Sequence, residues 1–298
     1  MSFTTRRNSA RPTAPVEVTR LLPTWILAIV LIVLGLLAAV PLVYIVLASL
    51  NSDLGVARGE FWPSDFTFDN YIDVWSSVGL ASGIANSLIV AGSVAVLSSA
   101  IALGTAYALV RFPFRGRLTA LRSLVGFQSI PGTLLLLPIF VLFASIGSVI
   151  GVQIIGTLWG LIITYLTFAL PFSTWIMVTY LRGLPISLEE AARIDGASHF
   201  GVLWRIVLPL SWPGLIVSTF FAFLLGWNDV MFASVMTTPD TRTVAVALQI
   251  FGAAQEGGGI PLYGQMMASS LICAVPVVLL FLIFQRYLVS GLTSGSVK

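Results

Sequence analysis

Between Trp25 and Leu47 the chain runs for 23 residues without one charged side chain. A run of that length crosses the roughly 30 Å of a bilayer's hydrocarbon as a helix. Only a helix or a closed barrel can satisfy every backbone N–H and C=O at that depth. Five more runs approach the same length, at about 89–109, 124–146, 157–177, 212–232 and 266–284. The chain is therefore predicted to be all-α and polytopic, with six transmembrane helices. Only 9% of its residues are charged and mean hydropathy is +0.99, whereas soluble domains carry about 25% charged residues. Prolines inside or beside the runs (Pro41, Pro131, Pro138, Pro171, Pro276) are tolerable where neighbouring helices satisfy the freed carbonyls.

Basic residues set the expected orientation. Arg6, Arg7, Arg11 and Arg20 precede the first run, and Arg111, Arg115, Arg117 and Arg122 follow the second. Arg182, Arg193 and Arg205 follow the fourth, and Arg286 and Lys298 follow the sixth. Thirteen of the 15 basic residues thus share one side with both termini, and only Arg58 and Arg242 face the other. That side is expected to be cytoplasmic. The positive charge follows membrane topology and gives no sign of nucleic-acid binding. The first run is too long for a signal peptide and no small-residue cleavage pattern follows it, so it is expected to remain as a span. The division expected is a disordered cytoplasmic tail at 1–24, a transmembrane domain at 25–285 and a cytoplasmic tail at 286–298. The external loop 51–83 mixes acids with aromatics, and Asp69 to Trp75 can form an amphipathic interfacial helix. The second external stretch, 237–264, carries Gly257-Gly258-Gly259 and reads as a mobile loop.

Residues 184–213 form the one long polar insertion with helix punctuation. Pro185 stops the preceding helix. Ser187 and Glu190 stand three apart as an N-cap and its capping-box partner, and Glu189 and Glu190 suit the positive end of a helix dipole. Gly196 suits the left-handed C-cap, Ser198 can cap a second short helix, and Pro209 separates that helix from the next span. A helix-turn-helix results, with Ala191, Ala192 and Asp195 on one side of the first helix as a small docking face.

Within this insertion, Glu190-Ala191-Ala192, Asp195-Gly196-Ala197 and then Ile206, Leu208 and Pro209 resemble the EAA loop of binding-protein-dependent ABC importer permeases. The resemblance extends over roughly 25–298 and is similar to the carbohydrate, maltose-type branch. Asn86-Ser87-Leu88, Tyr107 to Phe112, Gly226-Trp227-Asn228-Asp229 and the ending from Gln285 carry it. It implies that the loop docks in a cleft of a separate ATPase subunit that holds ATP and Mg2+. It also implies that Ser294, Gly295, Ser296, Val297 and Lys298 contact the ATPases. The implied partners are a second permease subunit, two ATPase subunits, an extracytoplasmic solute-binding protein and the lipid bilayer of a bacterial-type inner membrane.

Catalytic and metal chemistry find no residues here. A P-loop needs a lysine after its glycine-rich turn, and the only lysine is Lys298. One histidine, His199, and one cysteine, Cys273, cannot build a His/Cys metal cluster. No cofactor is expected on this chain, and it is expected to be a permease rather than an enzyme. Asp229 is the one acid within a span, where a charge is costly. It reads either as an acceptor on the solute route, with Asn86, Trp227 and Asn228, or as a helix-end residue that caps or pairs with the partner subunit. The alternative to an ATP-driven importer is an ion-gradient-driven secondary transporter, which wants inverted repeats and intramembrane ionisable pairs. The spans carry no Arg or Lys to pair with an anion, so a neutral sugar or polyol is the expected solute.

Overall fold

The computed structural model of the protein describes residues 23–254 and 261–293. Among them the regular structure is helical, apart from one isolated antiparallel bridge between Asn51 and Phe66. The first span is α1 (Thr24–Ser49). Two short helices follow, α2 (Asp53–Ala57) and α3 (Asp69–Ser77), the latter matching the expected amphipathic segment. The second span is α4 (Leu80–Arg111).

The third expected span, 124–146, is divided. Residues up to Gln128 belong to a separate helix, α5 (Arg117–Gln128), and the span itself is α6 (Gly132–Ile150). Pro131 causes the break, because it offers no N–H to the ladder and disfavours helical geometry at Ile130. Its own carbonyl then accepts from Leu134 N–H at 3.0 Å to start α6. Pro41, Pro138, Pro171 and Pro276 all lie inside helices.

The fourth span is α7 (Leu158–Gly183), and the polar insertion begins after it with α8 (Ser187–Ile194) and α9 (His199–Val202). A π-helical turn over Leu203–Val207 leads into α10 (Leu208–Leu210). The fifth expected span, 212–232, is not one straight helix. Segment His199–Leu210 meets α11 (Trp212–Asn228) at 75°, and α11 stops at Asp229 before α12 (Met231–Met236). The expected mobile loop 237–264 contains α13 (Val244–Ala254), which buries Val244, Val246, Ala247 and Phe251. The glycine run lies outside the described residues. The sixth span is α14 (Tyr263–Thr293), which continues through the expected domain boundary at 285.

Helix α4 is the bundle's spine. Its buried Ser87, Ala91, Ala95, Ser99, Ala102 and Ala106 recur at three- or four-residue spacing, which puts them on one face. Small side chains let neighbouring backbones approach, the usual basis of packing between helices in lipid. At Gly226 of α11 the approach is close enough that a Cβ would sit 3.1 Å from Ala91 Cα. Two buried clusters result. One contains Val90, Val94, Leu161, Tyr165, Trp227 and Met236. The other contains Ala102, Ala106, Met177, Leu181, Val202 and Val207. Between them in sequence on each helix lies a layer of hydroxyls. Ser99 Oγ donates to Ser218 Oγ at 3.0 Å, and Thr219 Oγ1 donates to Ser99 Oγ at 3.0 Å. Interhelical bonds of this kind contribute about 0.6 kcal/mol each. By contrast α1 is almost wholly exposed, as a lipid- or partner-facing helix would be, and α6 has only half-buried contacts with the first cluster through Leu136, Ile139, Phe140 and Phe143.

Candidate functional site

The polar insertion sits against the second cluster. Leu184 is extended (φ −80°, ψ 133°), as a residue before proline prefers, and α7 has ended at Gly183. Ser187 is not the N-cap. Ile186 already has helical dihedrals, and its carbonyl accepts from the N–H groups of Glu189 and Glu190 at 3.0 and 3.1 Å. Ser187 therefore lies one residue inside the helix, with no side-chain cap.

The C-terminus is as expected. Gly196 has φ +88°, Ala197 N–H donates to Ala192 O at 2.9 Å, and Gly196 N–H donates to Arg193 O at 3.0 Å. Those two bonds define a Schellman cap, which satisfies carbonyls left over at the helix end. Ser198 Oγ accepts from Gly201 N–H at 3.1 Å and caps α9. Pro209 does not end the second helix. Its missing donor is preceded by the π-helical turn, and the chain bends at Ser211, ahead of Pro213.

The two faces of this motif differ from the expected pattern. Ala192 and Ala197 are half-buried and pack on the core, as do Ile206 and Leu208. Glu190, Ala191, Asp195, Gly196 and Pro209 are exposed. One residue of helix rotates by about 100°, which puts Ala191 outward and Ala192 inward. Large apolar side chains share the exposed surface, with Ile194 at 86%, Phe200 at 69% and Trp204 at 54% exposure. Phe200 and Trp204 lie against each other, their ring centroids 5.9 Å apart.

Sequence reasoning missed Glu189 and Arg111. The Glu189 side chain is 3% exposed and the Arg111 side chain 8%, and Arg111 Nε donates to Glu189 Oε1 at 2.7 Å. The same guanidinium donates through one Nη to Leu181 O at 3.1 Å and Leu184 O at 3.3 Å. Adjacent Glu189 and Glu190 look alike in sequence, and only their positions around the helix distinguish them.

The four residues of the suggested solute route have separate environments. Asn86 Nδ2 donates to the carbonyls of Asp240 and Arg242, both at 3.0 Å. Trp227 is buried and stacked on Phe223 at 5.4 Å. Asn228 is exposed. Asp229 follows the last residue of α11, and its Oδ2 accepts from Tyr165 O–H at 2.7 Å and from Phe232 and Ala233 N–H at 3.0 and 3.1 Å. That carboxylate caps α12 and fastens it to α7, which is the helix-cap alternative. Positions 294–298 of the tail lie outside the described residues.

The family model of binding-protein-dependent transport system inner membrane components matches residues 98–294. The trehalose/maltose transport system permease protein MalG of Thermococcus litoralis is 34% identical over 270 residues, 90% of this chain and 94% of that protein. The trehalose transport system permease protein SugB of Mycobacterium tuberculosis is 31% identical over 88% of this chain and 93% of its own length. The alpha-glucoside transport system permease protein AglG of Rhizobium meliloti is 37% identical over 79% of this chain, which spans 61% of its length. A chain from the crystal structure of a bacterial ABC transporter involved in import of the acidic polysaccharide alginate superposes with a TM-score of 0.75. That match covers 93% of this chain and 99% of that one, at 22% identity, and establishes the fold. Together, the matched family and the bundle of apolar helices place this chain among the inner-membrane permease components of binding-protein-dependent ABC transport systems.

Proposed function

We propose that this chain forms one half of the translocation pathway of an ATP-driven importer, and that its solute is a neutral sugar or polyol. The observation that carries the coupling role is the capped α8–α9 motif. It leaves Glu190, Ala191, Asp195 and Gly196 exposed together with Ile194, and Phe200 and Trp204 of the following segment are exposed as well. The distribution of basic residues supports a cytoplasmic position for this surface and for both termini. A separate ATPase pair would hold ATP and Mg2+ there, with Ser294–Lys298 reaching the same subunits. A second permease would complete the pathway, and an external binding protein would deliver solute.

Closure of the ATPases on ATP would move α8 and α9 and shift the bundle between inward- and outward-facing states. Such a switch responds only as far as each partner prefers one state over the other. A neutral solute fits spans whose only basic residues stand at their ends, Arg111, Arg182 and Arg286. Arg286 is 23 residues beyond Tyr263, about 35 Å along the helix, outside a hydrocarbon layer of roughly 30 Å. The carbohydrate transport named for the relatives points the same way. The ion-gradient alternative finds no support, because the one intramembrane acid, Asp229, is occupied by a tyrosine hydroxyl and two backbone N–H groups.

Purification from membranes tests the assembly. An ATPase and a second permease should co-migrate with this chain, and uptake should favour a neutral disaccharide over its phosphate ester. A chain that purifies alone and transports down an ion gradient overturns the proposal.

A further inference from the structure

We propose that Arg111 is a positioning residue that makes α8 move as one body with α4, and so carries coupling motion from the ATPase side to the opposite end of the bundle. This rests on the coupling role proposed for the α8–α9 motif. Covalently, α8 hangs from α7 by Leu184, Pro185 and Ile186 alone. Helix α4 is 78 residues from Glu189 in sequence, and Arg111 is its last residue. The guanidinium spans the gap, holding Glu189 by Nε and the carbonyls of Leu181 and Leu184 by one Nη.

Those carbonyls close the C-terminal end of α7, where cations are favoured. One planar side chain therefore ties the ends of α4 and α7 to the first turn of α8. A rigid, always-charged fork suits such a role better than a lysine, which places one compact charge on a flexible stem. A buried ion pair is weak evidence for stability, since apolar substitutes of similar volume often do as well. Fixing a unique arrangement is the use that remains.

What α4 is attached to at its far end gives the clamp its consequence. Asn86 holds the carbonyls of Asp240 and Arg242, and Ser87 Oγ accepts from Val244 N–H at 2.9 Å. From Asn86 to Arg111 is 25 residues of unbroken helix, about 38 Å. A displacement of α8 that takes α4 with it reaches the loop ahead of α13 directly. Without Arg111, α8 keeps only apolar packing against the α4 end of the second buried cluster, through Ala192, and loses its one polar tie to α4.

The test uses the complete reconstituted transporter. Arg111→Gln should assemble with its partners at wild-type yield and keep its basal ATPase rate. Stimulation of that rate by loaded binding protein should fall by about 5-fold or more, the low end of ordinary coupling effects. The double variant Arg111→Gln/Glu189→Gln should be no worse than the poorer single one, as two members of one contact behave. Joining Arg111→Cys to Glu189→Cys with a bifunctional thiol reagent should recover stimulation, which a merely structural loss would not allow. Should Arg111→Gln fail to assemble, Arg111→Lys, which keeps charge and stem, carries the same readout. Stimulation within about two-fold of wild type in the variants, or no recovery on cross-linking, overturns the clamp. A wild-type complex that shows no stimulation at all instead overturns the proposed function.

Discussion

Replacing Gly196 separates a backbone effect from a docking effect. With φ +88°, any L-residue there pays for the left-handed conformation, about 1–2 kcal/mol. A Cβ at this position meets nothing within 4 Å, so no steric cost adds to that figure. Against the roughly 5–15 kcal/mol that holds a folded domain together, the loss leaves the subunit inserted and intact. Gly196→Ala should thus lower thermal stability modestly and keep much of its uptake. Gly196→Asp carries the same backbone cost or less, since Asp tolerates this region better. It also adds charge and bulk beside Ile194, on the surface proposed to dock the ATPase. Uptake in proteoliposomes should therefore collapse for Asp and largely survive for Ala, with equal insertion of both. Equal loss in both variants would assign the effect to the cap, and wild-type coupled uptake by Gly196→Asp would refute the docking argument.

Two other outcomes follow from named contacts, and one from the role proposed for the tail. Tyr165→Phe removes one of three donors to Asp229 and should cost about 1 kcal/mol in thermal unfolding. Asp229→Ala also strips the cap of α12 and orphans the Tyr165 hydroxyl, so its loss should be clearly larger; equal losses would contradict the arrangement. Asp53, which accepts from Gly264 N–H at 2.9 Å, has its carboxyl pushed above the ordinary value chiefly by burial. A raised acid contributes stability below its unfolded value of 3.8 that is lost as pH rises through the raised folded value. Asp53→Asn keeps an acceptor without the buried charge and should match or exceed the parent's melting temperature at pH 7, its advantage fading towards pH 4; a lower melting temperature at pH 7 would count against this. Removing Ser294–Lys298 should leave insertion unchanged and weaken ATPase stimulation, and unchanged stimulation would remove the tail from the contact surface.

Much of the fold was legible because a bilayer permits few solutions to the backbone hydrogen-bond problem. Apolar run length located the spans, and Gly196 and Ser198 announced their caps through local geometry alone. The errors arose where tertiary context decides. Pro131 breaks a span whereas Pro138, six residues into the next helix, does not, and apolar character at either is the same. Ile186 starts α8 one residue before the serine that looked like its cap. In the 237–264 stretch a glycine run drew the reading towards a loop, while the apolar Val244–Phe251 segment folds as α13 against α4. In the 184–213 insertion, cap signals located the short helices but not which of their sides is buried. Ala191 and Ala192 point differently, and Glu189 rather than Glu190 is buried, because the partner that decides is Arg111 from another span. A contact 78 residues away leaves no local trace.

Under the proposed function this chain carries solute only as part of an ATP-driven complex. Reconstitution with the second permease and the ATPase subunits, followed by uptake of labelled neutral sugar delivered by the binding protein, tests it most directly. Uptake should require both ATP and the binding protein and persist when ion gradients are collapsed. Uptake that proceeds without ATP and stops when the gradients are collapsed would contradict it.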